Sequence, residues 1–426
     1  MASRRKTLDA DGARGVRAAG RARPVLSLTP TRSGRAATSE PLPEVEAFLP
    51  HAQIDMRTSI RPTVAEVDLA VIKRNFDLIT GLVAPADVWA VVKADAYGHG
   101  AVAVARALAG RCEALAVSLV EEGLELRAAG VRAPILVLGA YYDRCHDQVI
   151  EEGLTPVIYD PRDLDLFAAA AAARSGRIDV HVKVDTGMSR LGVAPLLLPE
   201  LLDRAATLSG GVRIAGLCTH FATADAPSEA ETRAALHRFH DCLDLAVRRG
   251  LGPLVRHAAN SAAAVRFPEA RLDAVRPGLA LYGTMSSPLV AVADLEPALR
   301  LSTRLMAVRQ IPAGATVSYG ARWVAPRAST IGTLPVGYAD GYPRHVQAAE
   351  VLIRGRRAPI VGAVCMDMLM VDLTEHAQAS VGDVVTLIGQ DGAEHIGVDD
   401  VAGWAGTVNY EILCGISKRV PRIYKD

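Results

Sequence analysis

Residues 91–100, Val-Val-Lys-Ala-Asp-Ala-Tyr-Gly-His-Gly, decide the predicted fold. An apolar run ends there abruptly in Lys93, and a tyrosine and two glycines follow. A parallel strand that is buried on both faces consists of continuous apolar residues, and residues 89–92 fit such a strand. Lys93 then lies at the carboxyl end of a strand, which is where α/β barrels carry their active sites.

The residues around Lys93 favour a chemical role over a structural one. A lysine that closes a strand is most often a solvated cap. Here Gly98 and Gly100 allow a ligand to approach the backbone closely, and Tyr97 offers a hydroxyl to a phosphate or carboxylate. A lysine in an apolar pocket has a lowered pKa, which suits it to imine formation with a carbonyl compound. The carbonyl compound that we expect is pyridoxal 5'-phosphate.

The composition bounds the class of protein. The chain has 426 residues, 50% of them hydrophobic, and a formal net charge of zero. Residues 1–36 carry nine Arg or Lys and two Asp, a local charge of +7 that leaves the other residues at −7. The basic tail, residues 1–49, is expected to be disordered. Nucleic-acid binding has little support, because a basic patch belongs on the folded part, and we expect no membrane span.

The six cysteines show no Cys-x-x-Cys pair or regular spacing. The sequence therefore predicts neither a zinc site nor a disulfide framework. Reduced thiols fit a cytoplasmic protein best.

Short apolar runs alternate with helical patterns between residues 88 and 283, which is typical of repeated βα units. Eight parallel strands are predicted, and eight suggest a closed barrel. The predicted strands cover residues 88–94, 115–118, 135–138, 155–159, 178–184, 214–221, 254–258 and 274–276. Helices are expected over residues 119–130 and 228–250. We predict an α/β fold with a barrel domain over residues 63–296. A mostly antiparallel β domain, almost without helices, is expected over residues 297–426, with residues 63–67 joining it.

Polar residues recur at the predicted strand ends, and all of these ends meet at one face of a barrel. When such a residue occurs alone, it most often caps the strand or supports a neighbouring side chain. Their number favours an active site: Lys93, Lys183 to Arg190 (Lys-Val-Asp-Thr-Gly-Met-Ser-Arg), His220, Asn260 with Ser261, and Arg276 with Gly278.

From residue 63 to residue 424 the chain resembles the alanine racemase family of pyridoxal-phosphate enzymes, which combine an eight-stranded α/β barrel with a C-terminal β domain. The resemblance covers everything except the tail. Its motifs are those around Lys93 and Tyr97, Lys183 to Arg190, Thr219-His220-Phe221, Asn260-Ser261, Arg276-Pro-Gly278, Ser318-Tyr319-Gly320, Gly337-Tyr338, Cys365-Met366-Asp367 and Asn409-Tyr410-Glu411.

The resemblance implies two catalytic bases, because a single base would return the proton to the face that it left. Lys93 is implied to hold the cofactor and to act on the D-alanine face, and Tyr319 is implied to act on the L-alanine face. Arg276 is implied to face the pyridine nitrogen, with His220 bridging Arg276 and Tyr319. An arginine does not release its proton in a protein, so the ring nitrogen is expected to stay unprotonated. That state favours racemisation over transamination.

The resemblance also implies the ligand contacts. The phosphate is assigned to Tyr97, Ser261, the backbone amides of Gly278 and Leu279, and Tyr410. The substrate carboxylate is assigned to Arg190 and the backbone amide of Met366. In some family members the lysine matching Lys183 is carbamylated, and a salt bridge from Lys183 to a nearby carboxylate is an equally open alternative. Ser189 replaces a glycine that is common in the motif, and we expect little consequence.

The family forms head-to-tail dimers, so Tyr319 and Met366 are implied to act on the partner's barrel, with Tyr338 and Arg344 lining the entry to the site. The predicted function is a cytoplasmic isomerase that interconverts L- and D-alanine and supplies D-alanine for peptidoglycan. Alternatives are a racemase of other or more varied amino acids, a decarboxylase, and a non-catalytic pyridoxal-phosphate carrier. Arg276 and Tyr319 disfavour the decarboxylase. Carriers resemble the barrel alone, so the C-terminal domain disfavours the carrier.

Overall fold

The computed structural model describes residues 60–139, 141–142 and 144–426. The predicted disordered tail, residues 1–49, lies outside these residues. No helix in the described part of the chain is both long and apolar enough to span a membrane.

A short strand precedes the barrel, and eight parallel strands then close it in sequence order. The strands of the barrel are almost completely buried, as in Ala114–Val117, where all residues are buried. This burial explains why they could be predicted from continuous apolar runs. The first nine strands are β1 Val64–Asp68, β2 Asp87–Val91, β3 Ala114–Val117, β4 Ile135–Val137, β5 Thr155–Ile158, β6 Ile178–Lys183, β7 Val212–Cys218, β8 Val255–His257 and β9 Ala274–Val275. The predicted barrel is confirmed.

Several of the helices between the strands begin at recognisable capping side chains. Asp160 accepts a hydrogen bond from the Arg162 amide at the start of one helix, and Pro161 occupies its first position. The helices of the barrel region are α1 Leu69–Val83, α2 Lys93–Gly98, α3 Ala101–Leu108, α4 Val120–Ala128, α5 His146–Glu151, α6 Pro161–Ala172, α7 Leu198–Thr207, α8 Ala230–Arg248 and α9 Ser261–Arg266. Helices α4 and α8 are those predicted over residues 119–130 and 228–250.

The C-terminal region is a mostly antiparallel β domain, as predicted. Its strands are β10 Leu299–Arg304, β11 Ala307–Ile311, β12 Thr316–Val317, β13 Trp323–Val324, β14 Ser329–Leu334, β15 Glu350–Ile353, β16 Arg356–Val361, β17 Leu369–Asp372, β18 Val384–Asp391, β19 Glu394–Ile396 and β20 Arg422–Lys425. The main sheet has the order β11-β14-β17-β16-β15-β18-β10-β1-β20, β19 pairs with β18, and β12 and β13 form a separate pair.

One feature of this region differs from the prediction. Helices α10 Val398–Ala405 and α11 Asn409–Gly415 interrupt a region expected to be almost free of helices. Both are short, so a helical repeat is hard to recognise in the sequence. Strand β1 pairs antiparallel with β10 and parallel with β20. The range predicted for the barrel, residues 63–296, therefore starts with a strand of the other sheet, as the expectation for residues 63–67 implied.

Candidate active site

The chain turns sharply after β2, and Lys93 begins this turn. Sequence reasoning extended the strand to residue 94, but β2 ends at Val91. From Ala94 to Tyr97 four consecutive non-glycine residues have φ of +52° or +53°, which makes the turn left-handed. Such a conformation costs about 1–2 kcal/mol per residue, so the surroundings must hold it. We call residues 93–98 the lysine turn.

Residues that pack against the lysine turn contact its carbonyl groups and its last residue, Gly98. The Nδ1 of His99 lies 3.1 Å from the Ala96 carbonyl oxygen and 2.9 Å from that of Tyr97. The His99 ring stacks on Tyr282 at 4.5 Å between centroids, and the Tyr282 hydroxyl donates to the Val91 carbonyl oxygen at 2.9 Å. Gly98 has φ of +78°, and a Cβ there would collide with the backbone of α11. The glycine is therefore required by both conformation and space.

Positive side chains converge at the carboxyl end of the barrel strands. Burial lowers the pKa of Lys93, and the charge of Arg190 lowers it further. Burial also lowers the pKa of Lys183, with Arg276, Arg190 and Lys93 acting in the same direction. Among the described residues Lys183 takes part in no ion pair. The structure therefore brings together four cations that the sequence predicted, and the site is suited to anionic ligands.

His220 lies within this cluster. Burial holds its pKa well below the usual range, and the nearby charges of the same four cations contribute in the same direction. The imidazole is therefore neutral. The expected bridge is not present on the arginine side, since no hydrogen bond joins His220 to Arg276 among the residues described.

Arg276 is buried in the barrel, with 6% of its surface exposed. Its NH2 group donates to the carbonyl oxygens of Thr219 at 2.7 Å and Ala258 at 3.1 Å. Its NH1 group lies 2.7 Å from Nδ1 of His257. Within the described chain these partners are all neutral, so the charge of the guanidinium has no carboxylate to balance it. Burial accordingly lowers the pKa of Arg276.

Two histidines continue the contact behind Arg276. Because an arginine only donates, Nδ1 of His257 is the acceptor, and the neutral ring carries its proton on Nε2. That nitrogen lies 2.7 Å from Nδ1 of His181. Burial lowers the pKa of His181 to about 4 and that of His257 well below its usual range. The sequence predicts His257 at a strand end without a role, and a histidine pair on alternate strands of the barrel, β6 and β8, is the signal that points to it.

The predicted phosphate ligands Tyr97, Ser261, Gly278, Leu279 and Tyr410 lie around one site, which we call the cradle. The Ser261 hydroxyl accepts hydrogen bonds from the Gly278 amide at 3.0 Å and the Ala280 amide at 3.3 Å, on either side of Leu279. A Cβ at Gly278 would fall directly on the Tyr97 hydroxyl. The rings of Tyr97 and Tyr410 lie 5.9 Å apart. Hydroxyl groups and backbone amides of this kind bind anions well.

The loop that follows β6 carries Arg190 and is held by hydrogen bonds between its own residues. The Asp185 carboxylate accepts from the amides of Gly187, Met188 and Ser189 at 2.9–3.0 Å. Burial alone would raise the pKa of Asp185, but these amides lower it. Ser189 has φ of +55°, which explains why glycine is common at this position. Its serine carries a local backbone cost, although its amide still bonds to Asp185.

Tyr319 and Met366 lie in the C-terminal domain, where both line a groove of about 600 Å³. The residues that line it among those described are Arg309, Ile311, Thr316, Val317, Ser318, Tyr319, Ile331, Thr333, Cys365, Met366, Asp367, Met368 and Met370. None belongs to the barrel. Tyr319 is 74% exposed and Met366 53% exposed. The groove therefore presents both side chains outward, and they do not line the cluster around Lys93 in the same chain.

Comparison with known proteins agrees with this architecture. Residues 67–286 match the family model "Alanine racemase, N-terminal domain", and residues 298–424 match "Alanine racemase, C-terminal domain". The chain belongs to the alanine racemase family. A relative named alanine racemase from Sorangium cellulosum is 44% identical over 86% of this chain and 100% of its own length. Another, from Symbiobacterium thermophilum, is 45% identical over 86% of this chain and 97% of its own.

Solved structures of the alanine racemase family have the same fold. Alanine racemase from Streptomyces lavendulae is 36% identical, with a TM-score of 0.83 over 86% of this chain and 98% of its own. Alanine racemase from Bacillus anthracis, solved with bound L-Ala-P, is 36% identical, with a TM-score of 0.81 over 86% of this chain and 96% of its own.

Proposed function

We propose that this chain interconverts L- and D-alanine with pyridoxal 5'-phosphate as its cofactor, and so supplies D-alanine for peptidoglycan. The observation that carries the proposal is the cationic cluster of Lys93, Lys183, Arg190 and Arg276 beside the Ser261–Gly278 cradle. Both the phosphate of the cofactor and the carboxylate of an amino acid would balance that charge. Family membership supports the choice of alanine as the substrate.

The residues present fit the cofactor. Lys93 would hold it covalently, because a lysine with a lowered pKa has a reactive neutral amine. Tyr97, Ser261, Tyr410 and the amides of Gly278 and Leu279 would hold its phosphate. The absence of a side chain at Gly278 keeps the Tyr97 hydroxyl against the backbone there. When bound, pyridoxal phosphate withdraws electrons from the substrate and makes the α-hydrogen acidic.

Arg276 would face the pyridine nitrogen as a permanent donor. Its three observed acceptors are neutral and fix its orientation. An arginine keeps its proton and cannot accept another, so it would leave the ring nitrogen unprotonated. That property favours racemisation over reactions that need a stronger electron sink.

Two bases would move the α-proton, one on each face of the substrate. Lys93 would serve the D-alanine face and Tyr319 the L-alanine face. A tyrosine near neutral pH needs nearby positive charge to act as a base, and the barrel cluster has an excess of it. Neutral His220 would hydrogen-bond to the phenol, while Arg190 and the Met366 amide would orient the substrate carboxylate.

Because Tyr319 and Met366 lie in an outward-facing groove, we propose a homodimer in which each subunit supplies these residues to its partner's barrel. The methionine side chains of the groove would be covered by the partner. A two-fold arrangement is the commonest form of oligomer. Tyr338 and Arg344, whose guanidinium lies 5.9 Å from the Tyr338 ring centroid, would line the entry.

We further propose that Lys183 is carbamylated. Its neutral amine would attack carbon dioxide, forming an N–C bond and releasing one proton, and the new anion would lie between Arg190 and Arg276. The alternative, a salt bridge, is not formed among the described residues, although the charge of Lys183 contributes to the lowered pKa of Asp185. The described cysteines are all free thiols; a cytoplasmic location stays a prediction.

The test is racemisation in deuterated water with a panel of amino acids. We expect L-alanine to yield D-alanine that carries deuterium at the α-carbon, with slower turnover of larger amino acids. Faster turnover of another amino acid would make the chain a racemase of different specificity. Bound cofactor without any inversion would indicate a carrier and contradict the proposal.

A further inference from the structure

Glu122 lies in the first turn of α4, and its carboxylate contacts the loops that follow two neighbouring barrel strands. Oε2 accepts hydrogen bonds from the amides of Ser118 at 2.7 Å and Leu119 at 3.0 Å, directly after β3. Oε1 accepts from the amide of Ala94 at 2.6 Å, directly after Lys93. One carboxylate therefore joins the lysine turn to the end of the next strand.

Helix capping explains only half of this arrangement. A glutamate at the third position of a helix commonly accepts from the backbone amide that precedes the helix, and Oε2 does so here. The bond to Ala94, which is 28 residues away in the sequence, has no part in capping α4. Through this bond, the second carboxylate oxygen of Glu122 holds the residue that follows Lys93.

The lysine turn needs such a contact. Ala94 is the first of four non-glycine residues in the left-handed conformation, which L-amino acids avoid. A hydrogen bond to a charged group is stronger than one between neutral groups, so the bond from Ala94 to Glu122 helps to hold this conformation. The negative charge of Glu122 also raises the pKa of Lys93, against burial and Arg190, with a smaller contribution from Cys414 in the same direction.

We propose that Glu122 is a positioning residue that holds the lysine turn and thereby fixes Lys93 and Tyr97 relative to the bound cofactor. The inference rests on the proposed function for the identity of that cofactor. Glu122 itself contacts the backbone beside the lysine, and it acts on the reaction only through the lysine turn.

The substitution Glu122→Gln separates positioning from capping. The carboxamide has one acceptor oxygen, and two amides of the helix start compete for it with one amide of the lysine turn. The oxygen is expected to stay with Ser118 and Leu119, which turns the amide nitrogen, a donor, toward the Ala94 N–H. Glu121→Gln is the matched control, because exposed Glu121 lies in the same helical turn and loses the same charge.

Three measurements on cofactor-loaded protein test the positioning role of Glu122. In Glu122→Gln we expect hydrogen exchange in residues 93–98 to accelerate about ten- to hundredfold, while residues 120–128 exchange as in the control. The visible circular dichroism of the bound cofactor should fall, since its orientation loosens. The kcat for alanine should fall about ten- to hundredfold, with KM nearly unchanged. Identical exchange and dichroism in the two variants would overturn the proposal, as would changes confined to α4.

The exchange and dichroism measurements do not require racemisation. If they change as expected but the wild-type protein does not invert alanine, the proposed function fails and the positioning role of Glu122 remains. If Glu122→Gln does not fold, hydrogen exchange in the wild-type protein tests the contact between Glu122 and Ala94 instead. The Ala94 amide should then be protected as strongly as those of Ser118 and Leu119, and free exchange at Ala94 would refute the contact.

Discussion

At the scale of single residues, the site is organised around charges that the chain itself does not balance. Burying a charge without a partner is costly, yet Arg276 is almost completely buried and bonds only to neutral groups. Its charge is therefore available to a ligand. The same reasoning applies to Lys183, which has no ion pair in the described chain.

The carbamylation of Lys183 can be observed directly. With ¹³C-labelled bicarbonate, the wild-type enzyme should show a carbamate carbon signal by NMR, because burial lowers the pKa of this lysine and keeps a neutral amine available. The signal should disappear in Lys183→Ala and persist in Lys418→Ala, which removes an exposed lysine. A wild-type spectrum without the signal would leave Lys183 as an unmodified amine.

His99 predicts an acid dependence of stability. Burial lowers its pKa to about 4, outweighing its bonds to two carbonyl oxygens, whereas a histidine in the unfolded chain titrates near 6.5. Between these values the unfolded chain binds the extra proton, so stability is lost as pH falls from about 6.5 toward 4. The loss for one such histidine is about 2 kcal/mol at pH 5.

The urea midpoint, measured at pH 7 and pH 5, tests this dependence. In His99→Asn, whose amide can replace the Nδ1 donor, the decrease on acidification should be smaller than in the wild type. The control His345→Asn removes an exposed histidine and should leave the decrease unchanged. An equal decrease in His99→Asn would show that His99 does not titrate in this way.

Single residues were predictable from the sequence where a strand end places them. Lys93, Lys183, His220 and Arg276 each follow or close an apolar run, and parallel strands bring their carboxyl ends to one face. The partner of Arg276 was not predictable in this way. Whether its guanidinium bonds to His257 or to His220 depends on side-chain packing inside the barrel, which a strand pattern does not contain.

At the scale of elements, too, features that depend on burial were predictable from the sequence, and features that depend on contacts between distant residues were not. Strands β2–β9 were predictable because burial on both faces requires apolar residues throughout. The lysine turn was not, because its Ala-Asp-Ala-Tyr sequence carries no glycine until Gly98, and left-handed residues of this kind are held by contacts from other elements. Helices α10 and α11 were missed because each spans about two turns.

The cradle between β9 and the following turn gives a prediction for Gly278→Ala. The new methyl group would displace Tyr97, which cannot move easily because its ring lies 5.1 Å from Tyr282 and 5.9 Å from Tyr410. We expect the affinity for pyridoxal phosphate to fall at least about tenfold, corresponding to one lost hydrogen bond to the phosphate. Absorbance titration of the cofactor-free protein measures the change.

The matched control is Gly81→Ala in α1, where nothing lies within 4 Å of the added Cβ. It should bind the cofactor as the wild type does, with a small gain in stability from the better helix former. Unchanged affinity in Gly278→Ala would show that Tyr97 and Gly278 do not form the phosphate site.

At the scale of the whole molecule, the residues of the proposed site lie in two separate parts of the chain. The barrel provides the cations and the cradle, and the C-terminal domain provides Tyr319 in a groove that no described barrel residue lines. The sequence contained both motifs, but their separation along the chain carried no information on whether they meet within a subunit or between subunits. The outward exposure of Tyr319 favours the second arrangement.

Mixing two inactive variants tests this arrangement. Lys93→Ala should lose the visible absorbance of lysine-bound cofactor together with activity, and Tyr319→Phe should keep the colour but lose racemisation. If sites are shared, a dimer of one subunit of each kind has one site with both defects and one intact site. After dissociation and random reassociation, half of the dimers are mixed, so activity should recover to about a quarter of the wild-type value.

The control is reassociation of each variant alone, which should stay inactive. Because a subunit that contains both of its own bases could not be restored by exchange, a mixture that stays inactive despite verified mixed dimers would place Lys93 and Tyr319 of a site in the same subunit and contradict the shared arrangement.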